Sequence, residues 1–166
     1  MKFFHALILA TFLPLLAQNT ARPQATPAQL IDAATAKKIL AAAEAAALQA
    51  NAKVGISVVD ANGDLVASLR IDGASSQGVN SSQGKARAAL LFGLPTKQVQ
   101  DTIAAGKPVP ANVTNPPRGA YEFIINQGGL PIVKDGKVIG AVGVGGAASS
   151  EDERFAQAGI DAAFPR

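Results

Sequence analysis

The stretch Val58-Val59-Asp60-Ala61-Asn62-Gly63-Asp64-Leu65-Val66 decides the fold class. Aliphatic residues flank an Asn-Gly pair, and such pairs accept the positive φ angles of a tight type I′ turn. The same sign recurs at Pro131-Ile132-Val133-Lys134-Asp135-Gly136-Lys137-Val138-Ile139. Two hairpins declare an antiparallel sheet.

Helical signals surround them. Asp32 is a suitable N-cap for an Ala-rich helix over residues 33–50, with Ile39, Ala43 and Ala47 on one face and Asn51 at its end. Strands are expected at 54–60 and 64–71, and a second helix over 80–92 despite its interior Gly84. Gly93-Leu94-Pro95 stops that helix, and Thr96 is placed to cap a short one over 97–105. Residues 106–119 hold four prolines and read as an irregular loop of a length that is often functional. A further strand is expected at 121–126, then the second hairpin over 130–145. Ser150-Glu151-Asp152-Glu153 has the form of a capping box opening a last helix with Phe155, Ile160 and Phe164 on its apolar side. The order is helix, two strands, two helices, three strands, helix. It implies an α+β domain with one mostly antiparallel, five-stranded sheet covered by helices.

Residues 1–21 resemble a secretion signal: Lys2, then an apolar stretch from Phe3 to Ala17 too short to span a bilayer, then small residues. Residues 22–31 read as a linker and 32–166 as the folded domain. A secreted or periplasmic location is expected, with no membrane attachment after cleavage. The chain has 15 basic and 12 acidic residues, a formal charge of +3 and one tyrosine. No basic stripe with interleaved aromatics is present, so nucleic acid is not an expected partner. There is no cysteine, and the single histidine is His5. The mature chain must therefore work without the two side chains most used for nucleophilic, acid–base and metal chemistry.

Gly143-Val144-Gly145-Gly146-Ala147-Ala148 matches the G-x-G-x-x-A form of the dinucleotide fingerprint. The chain runs only to Arg166 beyond it, which leaves no room for a crossover and a second parallel strand. The reading preferred here is that these glycines let a strand pass close to another backbone. Glu151-Asp152-Glu153 has the composition of a hard-cation site, but acidic residues in a first turn more often serve the helix dipole. Arg70, Lys85, Arg87, Lys107 and Arg118 are the cations available to a carboxylate or propionate. Each alone reads first as a solvated surface charge. A lysine in a dry pocket could also act as a base. Tyr121 is the one side chain of a usual kind for haem iron, and is otherwise a strand tyrosine.

Taken together, three stretches resemble one known family. They are Ile56 to Val66 with Arg70-Ile71-Asp72-Gly73-Ala74; Gly84-Lys85-Ala86-Arg87-Ala88-Ala89-Leu90-Leu91-Phe92 with Leu94-Pro95-Thr96; and Gly128-Gly129-Leu130-Pro131-Ile132-Val133 through Ile139 to Gly146. The chain is similar over about residues 32–164 to the GlcG/HbpS-like family, the haem-degrading domain also found at the end of some PduO proteins. The resemblance implies a profilin-like three-layer α/β/α fold with a five-stranded sheet and assembly into dimers or rings. It also implies binding of haem or, second to it, a corrinoid. Relatives that hold a tetrapyrrole through histidine cannot be copied, because the mature chain has none. The expectation is an exported tetrapyrrole-binding protein, non-catalytic or weakly haem-degrading, with Arg70, Lys85, Arg87, Arg118 and Tyr121 as ligand-binding residues and no metal site. The alternatives are an enzyme acting on a small carboxylate through Lys, Arg and Asp residues, and an oligomeric sensory or interaction partner.

Overall fold

The computed structural model describes residues 30–112 and 122–165. The signal-like segment 1–21, most of the linker, Arg118 and Tyr121 lie outside these residues. The elements are α1 (Ala33–Gln49), β1 (Gly55–Asp60), β2 (Leu65–Arg70), α2 (Ser76–Phe92), α3 (Thr96–Ala104), β3 (Gly129–Lys134), β4 (Lys137–Gly145) and α4 (Ser149–Ala163).

The strands form one sheet in the order β2-β1-β4-β3, and every neighbouring pair is antiparallel. The described sheet therefore has four strands, where the sequence pattern predicts five. The missing strand is the one expected at 121–126. Residues 122–126 instead cross the outside of α2, where the Ile124 N–H donates to the Gly84 carbonyl at 3.1 Å. The segment has the apolar residues of a half-buried element, but a helix and not a strand covers it.

The two hairpins turn differently. Asp135 and Gly136 have φ of 51° and 72°, as a type I′ turn requires. In the first hairpin Gly63, at φ 83°, carries the positive angle, and Asn62 does not share it. The Gly63 N–H donates to the Asp60 carbonyl at 3.0 Å, and Asp60 Oδ1 accepts from the N–H groups of Asn62 (2.8 Å) and Asp64 (3.1 Å). That is a three-residue loop with a bulge at glycine, and the ladder shifts register between Val58 and Val59. The Asp60 side chain replaces the expected turn by tying the loop back on itself.

α1 begins as expected, with Asp32 Oδ1 accepting from the Thr35 N–H at 2.6 Å, and Asn51 leaves it at φ 53°. α2 starts one turn earlier than predicted. Ser75 caps it through the Gly78 N–H at 3.1 Å, and Gly93 ends it at φ 64°. Neither predicted cap at Thr96 nor at Ser150 forms. Pro95 and Ala148 stand at those positions, without side-chain capping bonds. The Thr96 hydroxyl instead accepts from the Gly129 N–H at 2.9 Å, tying α3 to β3.

Alternation along the strands sorts the sheet into two faces. Ile56, Val58, Leu130, Ile132, Val142 and Val144 point to the side covered by α1 and α4 and build the main core with Ile39 and Phe155. Gly55, Ser57, Val59, Ala141, Gly143 and Gly145 point to α2. The arrangement is three layers, with helix on both sides. Among the described residues no helix is long and apolar enough to cross a membrane.

Candidate functional site

α2 carries the polar groups, and the strand glycines explain how it does so. A methyl group built on Gly143 would lie 2.1 Å from the Ser82 carbonyl oxygen, and one on Gly129 would lie 2.3 Å from the Lys85 carbonyl oxygen. Gly55 would meet Val79 Cα at 2.6 Å. The helix backbone thus rests on strand backbone. The G-x-G run in β4 serves this close approach, in agreement with the reading preferred for the fingerprint.

That contact brings polar side chains of α2 into the interior. Ser57 and Ser82 are fully buried and share a hydrogen bond at 2.7 Å. Ser82 Oγ donates to the Val79 carbonyl at 2.7 Å. Ser57 must then donate to Ser82, because each hydroxyl has one proton. Ser68 Oγ, 2.9 Å from Ser57 Oγ, continues the chain to the exposed side of β2.

Lys85 points the other way along the sheet, toward α4. Its Nζ donates to Asp152 Oδ2 at 2.7 Å, and both side chains are nearly sealed from solvent, at 4% and 2% exposure. Asp152 Oδ1 accepts from the Ala147 N–H at 3.1 Å. Gly128, at φ 127°, leaves the space for this pair, since a methyl group there would lie 2.8 Å from Lys85 Nζ and from Asp152 Cβ. Burial pushes the Asp152 carboxyl above its ordinary value, and the hydrogen bond and charge of Lys85 offset part of that rise. The pair joins α2, the 128–129 corner and the first turn of α4. It is closed to solutes.

Among the described residues, the cations expected to converge do not all meet. Lys85 is committed to Asp152. Arg87, two residues on and so on another side of the helix, is largely buried and reaches Gln83 Oε1 at 3.5 Å. Arg70 is exposed at the end of β2, opposite Gly55 and so on the α2 side of the sheet. Lys107 is exposed beyond α3. Arg118 and Tyr121 lie outside the described residues. The acidic run also divides: Glu151 pairs with Arg154 at 3.6 Å, Asp152 with Lys85, and Glu153 Oε1 with Gln127 Nε2 at 3.2 Å. Among the described residues there is no group of three or more acidic, His or Cys side chains that could hold a metal ion. The Lys85–Asp152 pair was not legible in sequence. Its partners are 67 residues apart, and the one local sign, an Asp in the first turn of α4, reads as a dipole partner.

The pattern that defines the family described as "Haem degrading protein HbpS-like" matches residues 31–161. The chain is 38% identical over 109 residues to Protein GlcG of Escherichia coli K12, covering 66% of this chain and 76% of that protein. Among solved structures it resembles Klebsiella pneumoniae protein ORFY, with 30% identity, TM-score 0.73, and coverage of 88% of this chain and 97% of that one. It also resembles a double mutant of Streptomyces reticuli HbpS, with 28% identity, TM-score 0.69, and coverage of 91% of this chain and 97% of that one.

Proposed function

The chain belongs to the HbpS-like family, and from that premise we propose that it binds haem, as an exported protein with little or no turnover of its own. The observation that carries the reading is the match to a haem-degrading family over residues 31–161, nearly the whole described domain. No comparable support exists for a corrinoid.

The donor set of the described residues limits how haem is held. It contains no imidazole, thiol or thioether, since the only histidine is His5, the only methionine Met1, and cysteine is absent. Haem fits as a planar apolar body with two carboxylates and not as a histidine-ligated group. Leu65 and Arg70 stand exposed on the same side of β2. Leu65 offers apolar area, and the Arg70 guanidinium offers paired donors to a propionate. Tyr121 is the side chain available to the iron. Bound haem supplies the redox chemistry. The protein's own residues supply position and charge, since the Lys85 ammonium is held by Asp152 out of reach of a ligand. Residues 1–21 carry the export part of the proposal.

Titration of the full-length mature chain with haem, followed in the Soret band, tests the reading. Saturable binding at micromolar protein is expected. Arg70→Ala should weaken it about tenfold, on the order of 1.4 kcal/mol, and Tyr121→Phe should shift the band as well as the affinity. A spectrum indistinguishable from free haem at micromolar protein would sink the proposal.

A further inference from the structure

Asn62-Gly63, Asp72-Gly73 and Asp135-Gly136 each set an Asn or Asp before a glycine. Such pairs can modify themselves, because glycine has no side chain to shield its nitrogen. That nitrogen attacks the preceding side chain at Cγ. A bond forms between the two atoms, and the Cγ–N bond of the asparagine breaks. Its nitrogen leaves with the glycine amide proton as ammonia. Water then opens the ring at either carbonyl and gives aspartate or isoaspartate. With aspartate the leaving group is water, and the result is isomerisation alone. An ionised carboxylate resists this attack and a neutral amide does not. An unfolded chain therefore reacts first at its Asn-Gly pair.

The fold reverses that order. The Gly63 N–H donates to the Asp60 carbonyl at 3.0 Å, so the attacking nitrogen is engaged. Asp60 Oδ1 accepts from the N–H groups on either side of it, those of Asn62 (2.8 Å) and Asp64 (3.1 Å), and fixes both neighbouring peptides. The same carboxylate places negative charge beside the one amide that must lose its proton. Asp60 and Gly63 are both buried. The two Asp-Gly pairs have no such lock. Asp72, Gly73, Asp135 and Gly136 are all exposed. Among the described residues no hydrogen bond holds the Gly73 or the Gly136 N–H. The first of these turns is closed past its glycine, by the Ala74 N–H donating to the Ile71 carbonyl at 2.9 Å. A methyl group built on Gly136 would meet nothing within 4 Å, and one on Gly73 only the Lys53 side chain, at 3.6 Å.

We propose that isoaspartate forms in this protein at Asp72 and Asp135, and that Asp60 keeps the Asn62-Gly63 pair from reacting. Haem takes no part in either.

Incubation of the full-length mature chain at neutral pH, folded and in urea, provides the test. Peptide mapping by mass spectrometry reads deamidation, and enzymatic methylation reads isoaspartate. In urea, Asn62 is expected to react first. In the folded chain, isoaspartate should appear at Asp72 and Asp135 while Asn62 stays intact. Asp60→Ala should speed deamidation of the folded chain at Asn62 about tenfold, with Asp72 and Asp135 reacting as before. A general loosening of the fold would instead speed all three sites. If thermal melts show that Asp60→Ala does not fold, Asp60→Asn removes the charge, keeps the acceptor oxygen and should show the same selective gain at smaller amplitude. Asn62 reacting ahead of both aspartates in the folded parent, a folded Asp60 variant that deamidates at the parental rate, or no isoaspartate at either Asp-Gly pair would each overturn the proposal.

Discussion

The two faces of the sheet are built on opposite principles. On the α1/α4 face, large side chains fill the space: Ile39, Ile56, Val58, Ile132, Val142, Val144 and Phe155 are fully buried. On the α2 face, glycine, alanine and serine replace most of the large side chains. A small cluster of Val59, Ala86, Ala89, Leu90 and Ala141 is bordered by glycines on which the helix backbone rests directly. The difference shows where polarity can be housed. An interior of interlocking aliphatics has no place for a hydroxyl or an ammonium, because each would lack a partner. A helix pressed backbone to backbone on a sheet has polar atoms on both sides of the contact. Ser82 uses one of them, the Val79 carbonyl, and holds Ser57 in turn, while Lys85 is buried because Asp152 meets it.

The sharpest way to break the comparison is Gly143→Ala. The new methyl would meet the Ser82 carbonyl and the Ala86 N–H, at 2.1 and 2.6 Å, with no flexible side chain to yield. The expected loss exceeds the about 1–3 kcal/mol usual for overpacking, read as failure to fold or a collapse of the urea midpoint. A near-parental midpoint would mean that α2 is free to lift from the sheet.

Lys85→Met comes next. It leaves the Asp152 carboxylate buried without its cation, and breaking such pairs typically costs about 3–5 kcal/mol. Adding Asp152→Leu should recover most of that loss in chemical denaturation. The same variant sharpens the electrostatics. Burial already raises the Asp152 pKa above the ordinary 3.8, so the folded state binds this proton more tightly than the unfolded one does. The resulting penalty is absent below pH 3.8 and fully present above the raised folded value. Carboxyl-carbon NMR should show Asp152 titrating above 3.8 in the parent, and higher still in Lys85→Met.

Ile132→Val, on the aliphatic face, should have the smallest effect, about 1 kcal/mol by denaturation. A loss as large as that of Gly143→Ala would erase the distinction between the faces.

Much of this organisation could be read locally. Asn62-Gly63 and Asp135-Gly136 announced both hairpins, although Asp60 converted the first into a bulged loop by binding two backbone N–H groups. Asp32 and Asn51 bounded α1 as expected. Other features turned on contacts that the local pattern does not show. Residues 122–126 look like a strand, yet they pack on a helix because Gly84 leaves room for Ile124. Ser76 to Val79 carry weak helix signals, yet they are helical because Ser75 caps them and Gly78 seats on the Gly145 carbonyl. Asp152 stands in the first turn of α4 as expected, and it also reaches back to Ala147 and across to Lys85.

Turn chemistry, helix periodicity and the lack of histidine and cysteine in the folded domain are properties of neighbouring residues and of composition. The amino-acid string alone therefore established an antiparallel ribbon protein, helix-covered, with a narrow chemical repertoire. Strand order, the division into an aliphatic face and a backbone-contact face, and the union of Lys85 with Asp152 depend on residues distant in the chain. Only folding brings those together, because distance in space between such groups is set by how helix and sheet pack and not by their separation in sequence.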